Sequence, residues 1–305
     1  MFTPNGIYSA LLTPFNHDHK VNEEELRSLV EFNVTKGLNG IFPVSSVGEA
    51  LHMDFSEKCR CMDIVVDQVD GRIPVTPGVA ASTPYESARL ARHAKSIGCP
   101  AVVVTPPYYF KPGPSMVETF FETIGEDGGL PIILYNIPLF TQPLSYDTVA
   151  RLSRKPYVIG MKDSSGSMVD FLHFTDVIKR AGGKAAMLTG REENLVPSLF
   201  MGAAGCFTAS SGIFPEIMVG AYEAWKHGDM DRARDLQRSI LVLVRSMFSV
   251  AFPVGFKLAL ELRGFNMGPA LLPLSNGDQA AVDALRTELK PLMQIALQPF
   301  GVTLD

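Results

Sequence analysis

A lysine stands directly after one of the apolar runs of the sequence. Lys162 follows residues 157–161, whose β-branched and apolar side chains predict a buried strand. The amine is therefore expected at the end of that strand rather than in bulk water. Because burial disfavours the charged ammonium, such a lysine can supply a neutral amine, which attacks carbonyl groups. The alternative is a structural lysine whose amine pairs with the neighbouring Asp163.

A phenol and a loop of small residues occupy comparable positions after two other apolar runs. Tyr135 ends the run 132–135, and a phenol beside a Schiff-base lysine can move protons during carbinolamine formation and carbon–carbon cleavage. Residues 45–49 follow the run 40–44 and offer hydroxyl and backbone N–H groups, which suit a carboxylate ligand. Each feature alone is also compatible with a structural role, as a core-capping tyrosine or an ordinary loop.

Two acidic residues follow a further run. Glu192 and Glu193 come shortly after Gly190, at the predicted beginning of a helix. Negative charge at a helix N-terminus is stabilising in itself, by about 0.3–1 kcal/mol for each residue. The functional interpretation is that the two carboxylates face the same site and bind hydroxyl groups of a substrate.

The elements that would position these residues form a repeating pattern. Short apolar runs without in/out alternation, typical of strands buried on both faces, alternate with segments of helical periodicity. The runs are residues 7–12, 40–44, 73–75, 101–104, 132–135, 158–161, 185–188 and 205–208. Eight strand–helix units close a parallel barrel, whereas an open doubly wound sheet would need a glycine-rich turn after its first strand. Since residues 13–16 read Thr-Pro-Phe-Asn, we predict an α/β protein with a (β/α)8 TIM barrel.

Helical periodicity marks the other elements of the chain. Helices are predicted over residues 23–36, 55–69, 84–97, 115–124 and 167–179, with N-cap chemistry at Asn22 and Thr83. After the eighth unit, the segments 229–250, 254–262 and 278–297 predict a C-terminal three-helix appendage. We therefore expect residues 1–228 to form the barrel that carries the active site, and residues 229–305 to pack on it as a helical region.

Composition excludes several functional classes. The 305 residues carry 27 Lys and Arg against 32 Asp and Glu, with no basic stripe, so we expect no nucleic-acid partner. No apolar run is long enough to span a membrane, no signal peptide is visible, and the four cysteines form no framework, which together predict a cytoplasmic protein. The six histidines do not cluster at strand ends, so no metal site is expected.

Taken together, the strand ends resemble the dihydrodipicolinate synthase/N-acetylneuraminate lyase superfamily over nearly the whole chain. The motifs that carry the resemblance are residues 12–15, 45–49, 105–109, 135–138, 160–166 and 252–257. The resemblance implies a homotetrameric barrel with C-terminal helices that uses no metal or organic cofactor. It implies that Lys162 forms the imine and that Tyr135 is the acid and base. It also implies that Ser46 and Val47 hold a pyruvate carboxylate, and that Tyr109 reaches a neighbouring subunit to complete a proton relay.

The chain departs from both named branches of the superfamily. Dihydrodipicolinate synthases carry an arginine shortly after the Tyr-Asn-x-Pro motif, where this sequence has Phe140, which cannot pair with a substrate carboxylate. Ser45 and Val47 stand where the family commonly has Gly and Thr. In the sialic-acid lyase branch a Gly-x-Asp-Glu turn binds substrate hydroxyls, and here residues 190–193 read Gly-Arg-Glu-Glu.

The expected function is a class I lyase or aldolase. It would form or cleave the bond between pyruvate, or a related 2-oxo acid, and an aldehyde. A dehydratase with the same imine chemistry, dihydrodipicolinate synthase proper and a non-catalytic barrel that binds a 2-oxo acid are the alternatives. The predicted catalytic residues are Lys162, Tyr135, Ser46 and Tyr109. The predicted substrate-binding residues are Ser45, Val47, Gly48, Phe140, Ser164, Gly190, Glu192, Glu193 and Phe207.

Overall fold

The computed structural model describes residues 2–304, and its central element is a parallel sheet curved into a barrel. Seven strands are hydrogen-bonded in the order β2-β1-β7-β6-β5-β4-β3. Their bounds are β1 (Gly6–Ala10), β2 (Gly40–Phe42), β3 (Val102–Val104), β4 (Ile132–Asn136), β5 (Val158–Asp163), β6 (Ala186–Thr189) and β7 (Gly205–Thr208). Nearly every strand residue is buried, as expected for strands with helices outside and side chains packed inside. The prediction of an α/β barrel is confirmed.

The segment 74–79 completes the ring between β2 and β3. It lies where the sequence predicted a third strand, but isolated bridges to β2 and β3 replace a regular strand there. Pro74 and Pro77 lie in this segment and have no N–H to donate to a ladder. Their carbonyl oxygens still accept hydrogen bonds from β2 and β3, at 3.0 and 2.9 Å. This segment therefore occupies the eighth strand position of the barrel, but its pairing is irregular.

Nine helices belong to the barrel among the described residues. They are α1 (Glu23–Thr35), α2 (Phe55–Val69), α3 (Pro84–Ser96), α4 (Pro114–Gly128), α5 (Tyr146–Leu152), α6 (Met168–Arg180), α7 (Leu195–Phe200), α8 (Ala209–Ile213) and α9 (Pro215–Lys226). The predicted N-caps are confirmed, because Asn22 accepts a hydrogen bond from the Glu25 N–H and Thr83 accepts one from the Glu86 N–H. The predicted helix beginning at Glu192 is instead a 3-10 turn over Glu192–Asn194 that leads into α7.

Three further helices form the predicted C-terminal appendage. They are α10 (Met230–Met247), α11 (Val254–Leu262) and α12 (Asn276–Leu297). Helix α10 packs against α9 and α12, and α11 packs against α8, the short helix that directly follows β7. Because β7 ends at the carboxyl end of the barrel, this contact brings the appendage to the barrel mouth. Within residues 2–304, none of the helices combines the length and the apolar character needed to cross a membrane.

Aromatic side chains fill the barrel beneath its mouth. The rings of Tyr8 and Phe207 are stacked with their centroids 4.2 Å apart, and Phe42 lies 5.9 Å from Phe207. Phe42 also meets Tyr135 edge to face at 6.2 Å. These contacts give the strand ends above them a rigid apolar floor.

Candidate active site

Lys162 lies within β5, directly opposite Tyr135 of β4 in the strand register. Its side chain is only 3% exposed, and its Nζ lies 3.9 Å from the Tyr135 ring centroid and 4.9 Å from that of Phe42. No carboxylate of residues 2–304 lies within ion-pair distance of this Nζ. A buried amine that packs against aromatic rings and has no ion-pair partner among the described residues is costly as a structural element, which favours a chemical role.

The neighbouring Asp163 is committed elsewhere. Successive residues of a strand point to opposite faces, so Asp163 turns away from the barrel interior that Lys162 enters. Its carboxylate accepts hydrogen bonds from Asn136 Nδ2 and Ser165 Oγ, both at 2.8 Å, and burial raises its pKa. The structural alternative, in which Lys162 pairs with Asp163, is therefore wrong. Asp163 instead braces the ends of β4 and β5.

The loop of residues 45–49 offers unpaired backbone N–H groups to the cleft around Lys162. The N–H of Gly48 donates to the Ser45 carbonyl oxygen at 3.1 Å, which folds the loop into a tight turn. Within the described part of the chain, the N–H groups of Ser46 and Val47 donate to no protein acceptor. Since both residues line the cleft, these N–H groups are available to an anionic ligand.

The other predicted residues of this loop shape it. Ser45 Oγ donates to the carbonyl oxygen of Leu11 at 2.9 Å and accepts from the Gly48 N–H at 3.1 Å, so its hydroxyl is already used. A Cβ on Gly48 would lie 2.7 Å from the Leu11 carbonyl oxygen, so only glycine permits this approach. Both residues hold the loop after β2 against the end of β1.

A buried ion pair joins the same loop to the appendage. Lys257 Nζ of α11 donates to Glu49 Oε1 at 2.9 Å, and both side chains are almost fully buried. Glu49 Oε2 accepts from the Leu271 N–H at 2.7 Å. Burial lowers the pKa of Lys257, and the negative charge of Glu49 opposes this effect. Both residues lie in motifs that carry the family resemblance, but their pairing was not predicted from the sequence, because 208 positions separate them.

Three further predicted residues line the same cleft as Lys162. They are Ser164, Gly190 and Glu192. The Ser164 Oγ is buried and makes no hydrogen bond within the described residues, which leaves it free for a ligand. Glu192 Oε1 accepts from the Ser210 N–H at 3.1 Å, and burial raises the pKa of Glu192. Glu193 does not line the cleft.

Four phenylalanines form an apolar wall at the outer part of the cleft. Phe140, which was predicted, belongs to the loop after β4, whereas Phe248, Phe252 and Phe256 come from the appendage. Their rings contact one another, with centroids 5.2 Å apart for Phe140 and Phe252 and 6.0 Å for Phe248 and Phe252. The sequence motif at 252–257 could have drawn attention to Phe252 and Phe256, whereas Phe248 lies outside it.

Two other predicted residues have contrasting positions. Phe207 lines the cleft as part of the aromatic floor. Tyr109 does not meet Lys162 within this chain, since it lies 91% exposed in a loop and adopts a left-handed backbone with φ of 74°. A role for Tyr109 in catalysis therefore requires a second copy of the chain and stays a prediction.

The sequence profile of the "Dihydrodipicolinate synthetase family" matches this chain over residues 3–292. The chain belongs to the dihydrodipicolinate synthetase family. The family assignment confirms the resemblance predicted from the strand-end motifs, and it makes the chain a lyase.

Relatives within the dihydrodipicolinate synthetase family are similar from end to end. The 4-hydroxy-tetrahydrodipicolinate synthase of Methanopyrus kandleri is 35% identical, with 95% of this chain and 97% of that protein aligned. The structure of YagE, a prophage protein of the family from E. coli K12 in complex with pyruvate, superposes with a TM-score of 0.89 at 27% identity, covering 95% and 98% of the two chains. Dihydrodipicolinate synthase from Bacteroides thetaiotaomicron gives 0.87 at 30% identity, covering 95% and 100%.

Proposed function

We propose that the chain is a class I aldolase in which Lys162 forms an imine with pyruvate or a related 2-oxo acid. The observation that carries the proposal is the buried Lys162 amine, which has no ion-pair partner among residues 2–304 and lies against Tyr135. The unpaired N–H groups of Ser46 and Val47 support it, because they suit the carboxylate beside the reacting carbonyl.

The proposed reaction follows from the groups at hand. The Lys162 amine attacks C2 of the 2-oxo acid, and the carbinolamine loses water to give an iminium. The iminium draws electrons from C3, which releases a proton and becomes an enamine. The C3 carbon then bonds to the aldehyde carbon, the aldehyde oxygen takes up a proton, and water frees the product from Lys162. Tyr135 is the acid and base for these transfers, with Ser46 beside it.

Reductive trapping tests this proposal. Pyruvate with borohydride should add a pyruvyl-derived mass to the wild-type chain and none to Lys162→Ala, as read by intact mass spectrometry. Lys184→Ala, which removes an exposed lysine, is the matched control and should be labelled like the wild type. Equal labelling of Lys162→Ala would reject Lys162 as the imine site. Absence of any label in the wild type would favour the non-catalytic binder.

A second candidate function is 4-hydroxy-tetrahydrodipicolinate synthase itself. The observation that favours it is the shared name of relatives 30–35% identical over most of the chain. Phe140 opposes it, since a charge-assisted pair with a carboxylate tail needs a cation there. The test is kcat/KM with pyruvate and aspartate semialdehyde for wild type and Phe140→Arg. Turnover of wild type at about 10 s⁻¹ or more, with no gain in Phe140→Arg, would establish this second candidate.

We also infer a cytoplasmic homotetramer. The exposed Tyr109 and its neighbour Phe110, which meet edge to face at 5.0 Å, support a subunit contact at this loop. Tyr109 would then complete a relay with Ser46 and Tyr135 of the neighbouring subunit.

A further inference from the structure

We propose that the acceptor of this aldolase is an apolar aldehyde that carries a ring, of the benzaldehyde class. The inference rests on the proposed imine function and concerns the other half of the reaction. It comes from the residues that surround the outer part of the cleft, where an aldehyde must lie to meet C3 of a 2-oxo acid held on Lys162.

Four phenylalanine rings form the apolar wall in the outer part of the cleft. Phe140, Phe248, Phe252 and Phe256 line the same cleft as Lys162. The Phe256 ring contacts those of Phe248 and Phe252, with centroids 5.0 and 5.7 Å apart. Since aromatic rings attract one another at centroid distances of about 4.5–7 Å, the wall suits a flat ring of the ligand.

The charges of the outer cleft do not suit an acidic tail. Besides Lys162, Arg191 is the one cation among the described residues that line the cleft. Its guanidinium lies 5.2 Å from the Phe248 ring centroid, and its Nη2 lies 3.5 Å from Glu193 Oε1. Arg191 is therefore already paired with a carboxylate and covers the aromatic wall, so a substrate carboxylate would compete with Glu193 for it.

A polyhydroxylated aldehyde is also a poor fit. Its hydroxyl groups would lose their water against phenyl rings, which can return no hydrogen bond. Among the described residues that line the cleft, the side-chain oxygens besides those of Tyr135 and the loop after β2 belong to Ser164 and Glu192, and neither residue belongs to the phenylalanine wall. An apolar ring instead gains free energy by leaving water on the phenylalanine side.

The proposed reaction with benzaldehyde balances without a further reactant. The enamine C3 of pyruvate bonds to the carbonyl carbon of benzaldehyde, and the carbonyl oxygen takes up a proton. Hydrolysis of the iminium on Lys162 then releases 4-hydroxy-2-oxo-4-phenylbutanoate. One proton leaves C3 and one arrives at the new hydroxyl, so nothing is oxidised or reduced.

The test compares three aldehydes at a fixed saturating concentration of pyruvate. Benzaldehyde, aspartate semialdehyde and glyceraldehyde are supplied to the full chain, and kcat/KM for each is measured from the rate of pyruvate consumption. We expect kcat/KM for benzaldehyde to exceed both others by about tenfold or more, equivalent to about 1.4 kcal/mol. A preference for either of the other aldehydes would overturn the inference.

A variant of the wall locates the preference. Phe252→Ala should lower the ratio of kcat/KM for benzaldehyde to that for glyceraldehyde by about 10- to 100-fold, as expected when contact with one buried ring is lost. Phe252→Leu keeps much of the volume and should retain part of the preference. Phe200→Ala, which removes a ring 59% exposed on α7, should leave the ratio unchanged. An equal loss for both aldehydes in Phe252→Ala would assign Phe252 a structural role and reject the wall.

Failure of the inference and failure of the proposed function give different results. If borohydride traps no pyruvate on the wild-type chain, the imine function itself is wrong. If pyruvate is trapped but the ring-bearing aldehyde is not preferred, the imine function stands and the acceptor assignment is rejected.

Discussion

Gly190 lies beside the side chains of Lys162 and Ser164 at the barrel mouth. A Cβ built on Gly190 would lie 1.9 Å from Ser164 Oγ and 2.7 Å from Lys162 Cε. Gly190 therefore does not merely permit a turn after β6, because its lack of a side chain leaves the space that the Lys162 stem occupies. A side chain at position 190 would therefore displace the Lys162 stem from the position it has in the structure.

We expect Gly190→Ala to suppress imine formation. Lys162 and Ser164 would have to move, and forcing an extra methyl into a packed site costs about 1–3 kcal/mol. The measurement pairs the rate of borohydride trapping with the free energy of unfolding in urea. Gly277→Ala in α12, where the nearest atom would lie at an ordinary 3.7 Å, is the control and should behave like the wild type. Normal trapping in Gly190→Ala would contradict the packing argument.

Glu192 predicts a pH dependence of stability. Burial raises its pKa above 4.5, so its contribution to stability is fully present below pH 4.5 and is lost as the pH rises through the folded-state pKa. Glu192→Gln stays neutral and can still accept the Ser210 N–H. We therefore expect Glu192→Gln to gain stability relative to the wild type between pH 4 and pH 7, as measured by urea unfolding at both values. A difference that does not change with pH would refute this account.

The positions of some site residues could be predicted from the sequence, whereas those of others could not. Lys162 and Tyr135 end neighbouring apolar runs, so parallel pairing had to bring them together. Phe248 and Phe252 carry no such signal, because only the packing of the appendage against the barrel places them near Lys162. The commitment of the Ser45 hydroxyl to Leu11 is equally invisible in the sequence, since it depends on how two loops approach.

At the scale of elements, the loop after β2 is held from two sides. The end of β1 holds it through Ser45 and Gly48, and α11 holds it through the buried pair of Glu49 and Lys257. Since the N–H groups of Ser46 and Val47 lie between these anchors, the appendage contributes to the geometry of the proposed anion site.

Breaking the buried pair should destabilise the fold more than replacing it. We expect Lys257→Met to lower the free energy of unfolding by about 3–5 kcal/mol, because Glu49 is left as an uncompensated buried charge. The double variant Glu49→Gln/Lys257→Met should recover part of this loss, since glutamine can still accept the Leu271 N–H. Urea unfolding of both variants measures the difference. If the double variant is less stable than Lys257→Met, the charge argument fails.

The order and type of most elements could be predicted because strands and helices have different periods. The third predicted strand is the exception. Its run 73–75 is apolar, but Pro74 and Pro77 deny the backbone two donors, so bridges replace a ladder. The helix predicted from Glu192 begins as a 3-10 turn. Gln237 of α10 accepts the Val196 N–H at 2.9 Å, which would otherwise be free to bond the Glu192 carbonyl oxygen, and it donates to that oxygen itself at 2.9 Å. No local pattern encodes these contacts.

At the scale of the whole molecule, the loop after β3 exposes two neighbouring aromatic rings. Tyr109 is 91% exposed and Phe110 77% exposed. We expect light scattering at micromolar concentration to give the mass of a tetramer. Tyr109→Ala should lower both the assembly and the turnover, whereas Phe200→Ala, which removes an exposed ring on α7, tests whether loss of surface area alone has this effect. A monomeric wild type with full turnover would exclude the role of Tyr109 in a neighbouring subunit.

The aromatic wall has a consequence for how new specificities can arise. Phe248 and Phe252 lie in the connection between α10 and α11, outside the strand–helix units that carry Lys162 and Tyr135. If the proposed function holds, mutations in that short connection would alter the choice of aldehyde and leave Lys162 and Tyr135 unchanged. After a gene duplication, substitutions at a few positions of this connection would give a paralogue that keeps Lys162 and Tyr135 and accepts a different aldehyde.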